Sequence, residues 1–154
     1  MEKDIIKEYN KLKEKYSLPD INEISSFFEI YKIDQENFLL IQIRQKIVEK
    51  LIRISEILEN FLHPDTTMSN IYECRAFNDF ERDEMFELYK KLKVIEKQST
   101  LISLDSDEQK EAEFIKQTLN SWNEIKEKMI YFITKLENFW KSKSPEKTKE
   151  GYFG

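Results

Sequence analysis

Apolar residues recur along this chain at steps of three and four, the spacing that lines up side chains on one face of an α-helix. In residues 2–16, Ile5, Tyr9, Leu12 and Tyr16 make one such stripe, and Pro19 ends it. Asp20 followed by Glu23 has the spacing of a capping box, and Ile21, Ile24, Phe27, Phe28 and Tyr31 predict a short second helix. The longest stripe opens near Asp34, read as an N-cap, and runs through Leu40, Ile43, Ile47, Leu51, Ile54, Leu58 and Phe61, flanked by Phe38, Ile41, Val48, Ile52 and Leu62. It is wider than the seam of a two-stranded coiled coil, so it is expected to face two or more neighbours inside one globule. Pro64 stops it, having no N–H and a fixed φ.

Residues 63–78, HPDTTMSNIYECRAFN, break the helical period, although Thr67 is placed to cap a single turn through Tyr72. Asn78 and Glu81 form another capping-box pair, opening a helix with core positions Met85, Leu88, Leu92, Ile95 and Ile102 and with Phe86 and Tyr89 beside them. After a short break at 103–107, Asp105 with Glu108, or Ser106, is expected to cap a last helix. Its face carries Ala112, Ile115, Leu119, Trp122, Ile125, Met129, Ile133, Leu136 and Trp140. The carboxylates Asp105, Asp107, Glu108, Glu111 and Glu113 lie where that helix's positive dipole end favours them.

Helices near 34–62, 79–103 and 106–141 would be about 43, 37 and 54 Å long at 1.5 Å per residue. The short break between the last two makes them antiparallel neighbours, and the longer connector allows the chain to return along the same bundle. The expected fold is therefore all-α: an antiparallel up-down bundle of three long helices plus one or two shorter N-terminal helices, occupying residues 1–141. Residues 142–154, rich in Lys, Ser and Glu around Pro145, are expected to be a disordered tail. The last helix overhangs its partners by about four turns, which leaves Phe132 to Trp140 to be covered by the N-terminal helices or by a second subunit.

Composition narrows the chemistry. Both glycines, Gly151 and Gly154, fall at the end, so the first 150 residues have none. Gly-rich phosphate loops and dinucleotide fingerprints are thereby excluded, and turns that need positive φ are disfavoured. One histidine, His63, and one cysteine, Cys74, build neither an internal disulfide nor a Cys/His zinc site within one chain. The sequence implies no cofactor and no small-molecule substrate. The longest uncharged apolar runs, Phe38–Ile43 and Met129–Thr134, fall far short of the roughly 20 residues of a membrane span. The N-terminus carries charges where a secretory signal needs an apolar run, and the lone Cys fits a reducing compartment, so a cytoplasmic location is expected. The net charge of −5 argues mildly against a nucleic-acid role.

Three features are candidates for function. The 63–78 connector is too apolar for a solvated loop. Read as a cap it closes one end of the core; read as a docking surface it offers Met68, Tyr72, Arg75 and Phe77 as anchors for a protein partner. The aromatic pair Tyr152 and Phe153 gives the end of the tail the look of a short docking peptide. Lys90, Lys91, Lys93 and Lys97 form a basic cluster, but Glu87 and Glu96 interleave with it and arginine is scarce, which disfavours nucleic acid.

Paired carboxylates are the remaining feature. Glu56 with Glu59, and Glu81 with Glu84, put two acidic pairs on adjacent helices. That arrangement loosely resembles the all-α nucleotide pyrophosphatases of the MazG type. The resemblance implies a magnesium site drawing on an ExxE pair and an ExxD pair, with Glu84 here standing where that family has Asp. ExxE spacing recurs five times in the chain, at 56/59, 81/84, 84/87, 108/111 and 124/127, as solvated helix faces would produce. Of the single residues, His63 is placed to meet helix C-terminal carbonyls, Cys74 reads as a small buried residue, and Trp122 and Trp140 read as packing. The leading expectation is a non-enzymatic protein-interaction or scaffold protein, self-associating through its long last helix or binding another protein. A regulatory subunit of a nucleic-acid-processing assembly and a carboxylate-metal hydrolase are the alternatives.

Overall fold

A computed structural model describes residues 3–34 and 37–142. Among them the chain forms six α-helices and no strand: α1 (Lys3–Tyr16), α2 (Ile21–Phe28), α3 (Leu39–Leu62), α4 (Met68–Glu73), α5 (Asp79–Leu104) and α6 (Glu108–Lys141). Single 3₁₀ turns at Ile30–Lys32 and Cys74–Ala76 follow α2 and α4. The class is all-α, and no helix of the described residues is long and apolar enough to cross a membrane.

With no glycine in its first 150 residues, the chain must reverse direction with other residues. Ser17, Glu29 and Phe38 adopt left-handed backbone, at φ 56°, 57° and 54°. Ser17 shows how this is held. The Leu18 N–H donates to the Lys13 carbonyl at 3.1 Å, the six-to-one bond of a Schellman ending, and Leu18 is buried behind it. The left-handed conformation costs a non-glycine residue roughly 1–2 kcal/mol, so packing around these corners must offset it.

Two expected helix starts are displaced. Asp34 does not cap α3, whose N-cap is Phe38 and whose first helical residue is Leu39. Ile33 is buried in extended backbone (φ −75°, ψ 126°), so the chain there is still tied to the core and cannot enter a helical turn. Nor does Asp105 or Ser106 cap α6. Asp105 ends α5, its N–H donating to the Ile102 carbonyl, and Asp107 caps α6 through the Lys110 N–H. The expected Asn78–Glu81 capping box is present in both directions, and Thr67 caps α4 through the Asn70 N–H.

The three long helices alternate in direction. Along α5 the Tyr89 hydroxyl reaches Glu59, and Ser99 receives Arg44, so α3 runs back as α5 advances. Glu81 meets Lys135, and Lys91 meets Glu124, so α6 is also antiparallel to α5. The stripe of α3 is buried as the spacing predicts, from Leu40 to Phe61. The α1–α2 hairpin is closed by the Tyr9 hydroxyl donating to the Pro19 carbonyl at 2.6 Å. Tyr16 and Lys15 hold Glu108 at the start of α6, while Phe27 and Phe28 pack on Trp122. The hairpin therefore covers the first half of α6.

The far half of α6 is covered by the connector. Phe77 is buried between Phe61 and Phe132, at ring distances of 5.3 and 5.9 Å, and Tyr72 packs on Phe139 and Trp140. The overhang of α6 is thus met from within the chain, where the sequence left it to the N-terminal helices or a second subunit. Ile133 and Trp140, expected in the core, are 43 and 50% exposed, because beyond the hairpin that side of α6 has no further helix to face.

Candidate functional site

The connector is a built structure. The His63 N–H closes α3 on the Glu59 carbonyl at 2.7 Å. After Pro64, Asp65 Oδ1 accepts from the Thr67 N–H and from Asn70 Nδ2. The Thr67 hydroxyl first, then the Thr67 N–H and Asn70, hold its carboxyl below the usual range. Arg82, one turn into α5, donates to the carbonyls of Leu62 and Cys74, at 3.3 and 3.5 Å, and so ties both ends of the connector to α5. Glu73 accepts from Trp140 Nε1 at 2.8 Å, fixing α4 to the end of α6.

The anchors expected from sequence divide. Phe77 is 6% exposed and belongs to the core, so it is not available to a partner; its ring fills the space that α6 leaves past the end of α3. Tyr72 is half-buried in the aromatic stack, Arg75 is exposed, and Met68 is 85% exposed. Tyr152 and Phe153 lie outside the described residues. Sequence reasoning missed Trp140, whose ring is half exposed beside Tyr72, and Ile71, which joins Met68 and Tyr72 at i, i+3 and i+4 on one face of α4. The overhang of α6 was the signal for Trp140: a core-stripe residue beyond the end of its partners has no interior to enter. Cys74 is only partly buried, its thiol donating to the Ile71 carbonyl.

The carboxylate pairs are put to other uses. Glu81 is buried, and its carboxylate takes Lys135, the Tyr131 hydroxyl and the Asn78 N–H. Burial pushes its carboxyl up, but those three donors outweigh burial and hold it below its usual range. Glu59 accepts from Tyr89 at 2.8 Å, and Glu56 is exposed. Among the described residues no three of His, Cys, Asp or Glu are grouped where they could hold a metal ion together. In the basic cluster, Lys90 pairs with Glu87, Lys91 with Glu124 and Lys93 with Glu96, which returns most of its charge to the protein's own carboxylates.

Buried polar chemistry does occur, between the three long helices. Arg44 of α3 donates through Nε to both oxygens of Glu111 of α6, and through Nη1 to the Ser99 hydroxyl of α5 at 2.8 Å. All three residues are buried, so the trio fixes how the helices meet. An open groove of about 540 Å³ lies between the end of α5 and the start of α6, lined by residues such as Gln98, Leu101, Phe114 and Gln117. Of its charged members, Asp107 caps α6 and pairs with Lys110, and Glu113 pairs with Lys116. Comparison with known protein families, characterised proteins and solved structures finds no match to this chain.

Proposed function

We propose that this chain is a non-enzymatic interaction or scaffold protein that engages a protein partner through the connector end of its bundle. One observation carries the reading: Met68 and Ile71 stand exposed beside the Tyr72–Trp140 stack, on a short helix that Asp65, Arg82 and Glu73 hold in place. Exposed apolar and aromatic groups on a pre-ordered support are what protein interfaces use as anchors, since little entropy is lost when they are covered. The face is polar at its edge, with Arg75 and Asp65 exposed.

The test is site-specific photo-crosslinking in the native host. A crosslinking residue at position 71 is expected to capture a discrete partner, or a second copy of the chain, that the same residue at exposed Gln45 of α3 does not. Met68→Lys/Ile71→Lys should abolish that capture while leaving thermal melting unchanged, because neither side chain is in the core. Equal capture from positions 45 and 71, or capture that survives the double substitution, overturns the reading.

A further inference from the structure

We infer that two copies of this chain pair antiparallel along α6, with Ile130 of each copy set against Ile133 of the other and Lys126 against Glu137. The contact lies on the solvent side of α6 rather than on α4, so it goes beyond the reading above and does not rest on it.

Spacing is the first ground. Asn123, Lys126, Ile130, Ile133, Glu137 and Trp140 follow one another at steps of three and four, which places them on one stripe of the helix, the spacing of a two-stranded seam. That stripe is open. Ile130 is 57% exposed, Asn123, Ile133, Glu137 and Trp140 are exposed with it, and Lys126 is half-buried. The α1–α2 hairpin meets α6 at Glu108, Trp122 and Lys126, where the Lys126 ammonium lies 4.7 Å from the centre of the Phe27 ring. Past that point Ile130, Ile133 and Trp140 stand open to solvent along the flank.

Charge is the second ground, and it selects both direction and register. Parallel copies would set Lys126 on Lys126 and Glu137 on Glu137. Antiparallel copies instead stack each position of the stripe on one from the alternate row. Sliding the copies by two turns one way sets Ile133 on Glu137, and sliding them the other way sets Lys126 on Ile130, so that each buries a charge against an apolar side chain. The register between these sets Ile130 on Ile133 and Lys126 on Glu137, each twice, because a two-fold axis repeats every contact. Trp140 then lies beside Asn123 of the other copy at both ends. Glu137 pairs with Lys141 at 3.5 Å within α6, but both are exposed, and a pair of that kind is worth so little that exchanging it is nearly free. Length sets the strength. The stripe runs for about 27 Å, which is small against the roughly 800 Å² per partner of a stable complex, so the pair is reversible, with a dissociation constant on the order of 10 μM.

The test is sedimentation velocity of the full chain from about 1 to 300 μM, with helical melting to confirm that each variant is folded. Monomer is expected at the low end and dimer at the high end. Glu137→Lys turns two attractive contacts into two repulsive ones and should raise the dissociation constant about tenfold, as should Lys126→Glu. The double substitution Lys126→Glu/Glu137→Lys restores both contacts with their signs exchanged, and should return the constant to within about threefold of its original value. Ile130→Gln, at an exposed position, removes the apolar centre and should leave the chain monomeric throughout. A chain that is monomeric up to the highest concentration overturns the inference. So does a dimer indifferent to the single reversals or to Ile130→Gln, and so does a double variant no tighter than the singles. The α4 reading fails separately, by crosslinking from position 71. Met68→Lys/Ile71→Lys should leave this dimer intact, and a dimer lost in that variant but not in the charge reversals belongs to α4 and overturns the inference.

Discussion

Removing the acid from the Arg44–Glu111 pair should be the most damaging single polar substitution in this protein. One residue comes from each long helix: Arg44 from α3, Ser99 from α5 and Glu111 from α6. The guanidinium Nε lies 2.8 Å or less from both carboxylate oxygens, and the two side chains are 6 and 1% exposed. Glu111→Ala leaves the guanidinium buried with only Ser99 to receive it. Loss of one member of a buried pair costs about 3–5 kcal/mol, a large share of the roughly 5–15 kcal/mol that holds a domain folded. Replacing both, as Arg44→Met/Glu111→Leu, removes the stranded charge and should be close to neutral or even stabilising. Urea unfolding followed by helical circular dichroism, with the denaturant slope unchanged, measures both. A single substitution costing less than about 1 kcal/mol would refute the argument, since it would mean that water reaches the guanidinium. Titration gives a second check. Burial pushes the Glu111 carboxyl above its usual range, while Arg44 pulls it down and Asp107 adds to the rise. A carboxyl raised in the folded state favours folding below its unfolded value of 4.5, and that contribution is lost as pH rises through the folded value. The stability of the unaltered protein relative to Glu111→Gln should therefore decline as pH rises from about 4.5 towards neutral.

Three further outcomes follow from the geometry. Glu81 behaves oppositely to Glu111: its lowered carboxyl contributes stability above its unfolded value of 4.5 that is lost as pH falls through the folded value, so Glu81→Gln should flatten the acid limb of a pH–melting profile. Ser17→Gly should raise the melting temperature by about 2–4 °C, a gain near 1 kcal/mol, because it relieves the left-handed strain by more than it adds unfolded-state freedom; a fall would contradict the Schellman ending. Phe77→Ala should cost about 3–5 kcal/mol in urea unfolding, whereas Met68→Ala should stay within about 0.5 kcal/mol, and equal costs would contradict the division of the connector into core and surface.

Much of this architecture is written in local pattern. The stripes of α1, α3 and α6 and the Asn78–Glu81 box are legible because each depends on neighbours three or four residues away. What escapes is set by distant partners. Asp34 has the chemistry of a cap, but Ile33 is held in the core, and only the tertiary packing of Ile33 decides between them. Trp140 shares the period of Trp122, yet one is 5% exposed and the other 50%, because Phe27 and Phe28 cover the first and the second lies past the hairpin. Phe77 looked like a surface anchor because it sits in a non-helical stretch, and it is core because α6 outlasts α3. The Arg44–Glu111–Ser99 trio escaped because polar residues were read as solvent-facing. Its signal was Arg44 inside the stripe of α3, between Ile43 and Ile47, and Glu111 beside Ala112 on the core face of α6.

The cap and docking readings of the connector are two sides of one segment, and the order of its outer side depends on a few polar links. Helix α4 has six residues and none of them is buried. A helix so short has no stability of its own in water, so its position must be imposed by the bonds around it. Arg82 imposes most, because among the described residues it alone reaches both Leu62 before α4 and Cys74 after it. Arg82→Ala should then lower global stability by only about 1.5–3 kcal/mol, the range for hydrogen bonds to a charged group, yet speed amide hydrogen exchange through α4 much more than in the middle of α3 or α5. Crosslinking from position 71 should weaken in parallel, since a partner would have to order the helix that Arg82 no longer holds. If α4 exchanges as slowly in Arg82→Ala as in the unaltered protein, then the aromatic stack of Tyr72 on Phe139 and Trp140 suffices to hold it, and Trp140→Ala becomes the substitution that must loosen the face.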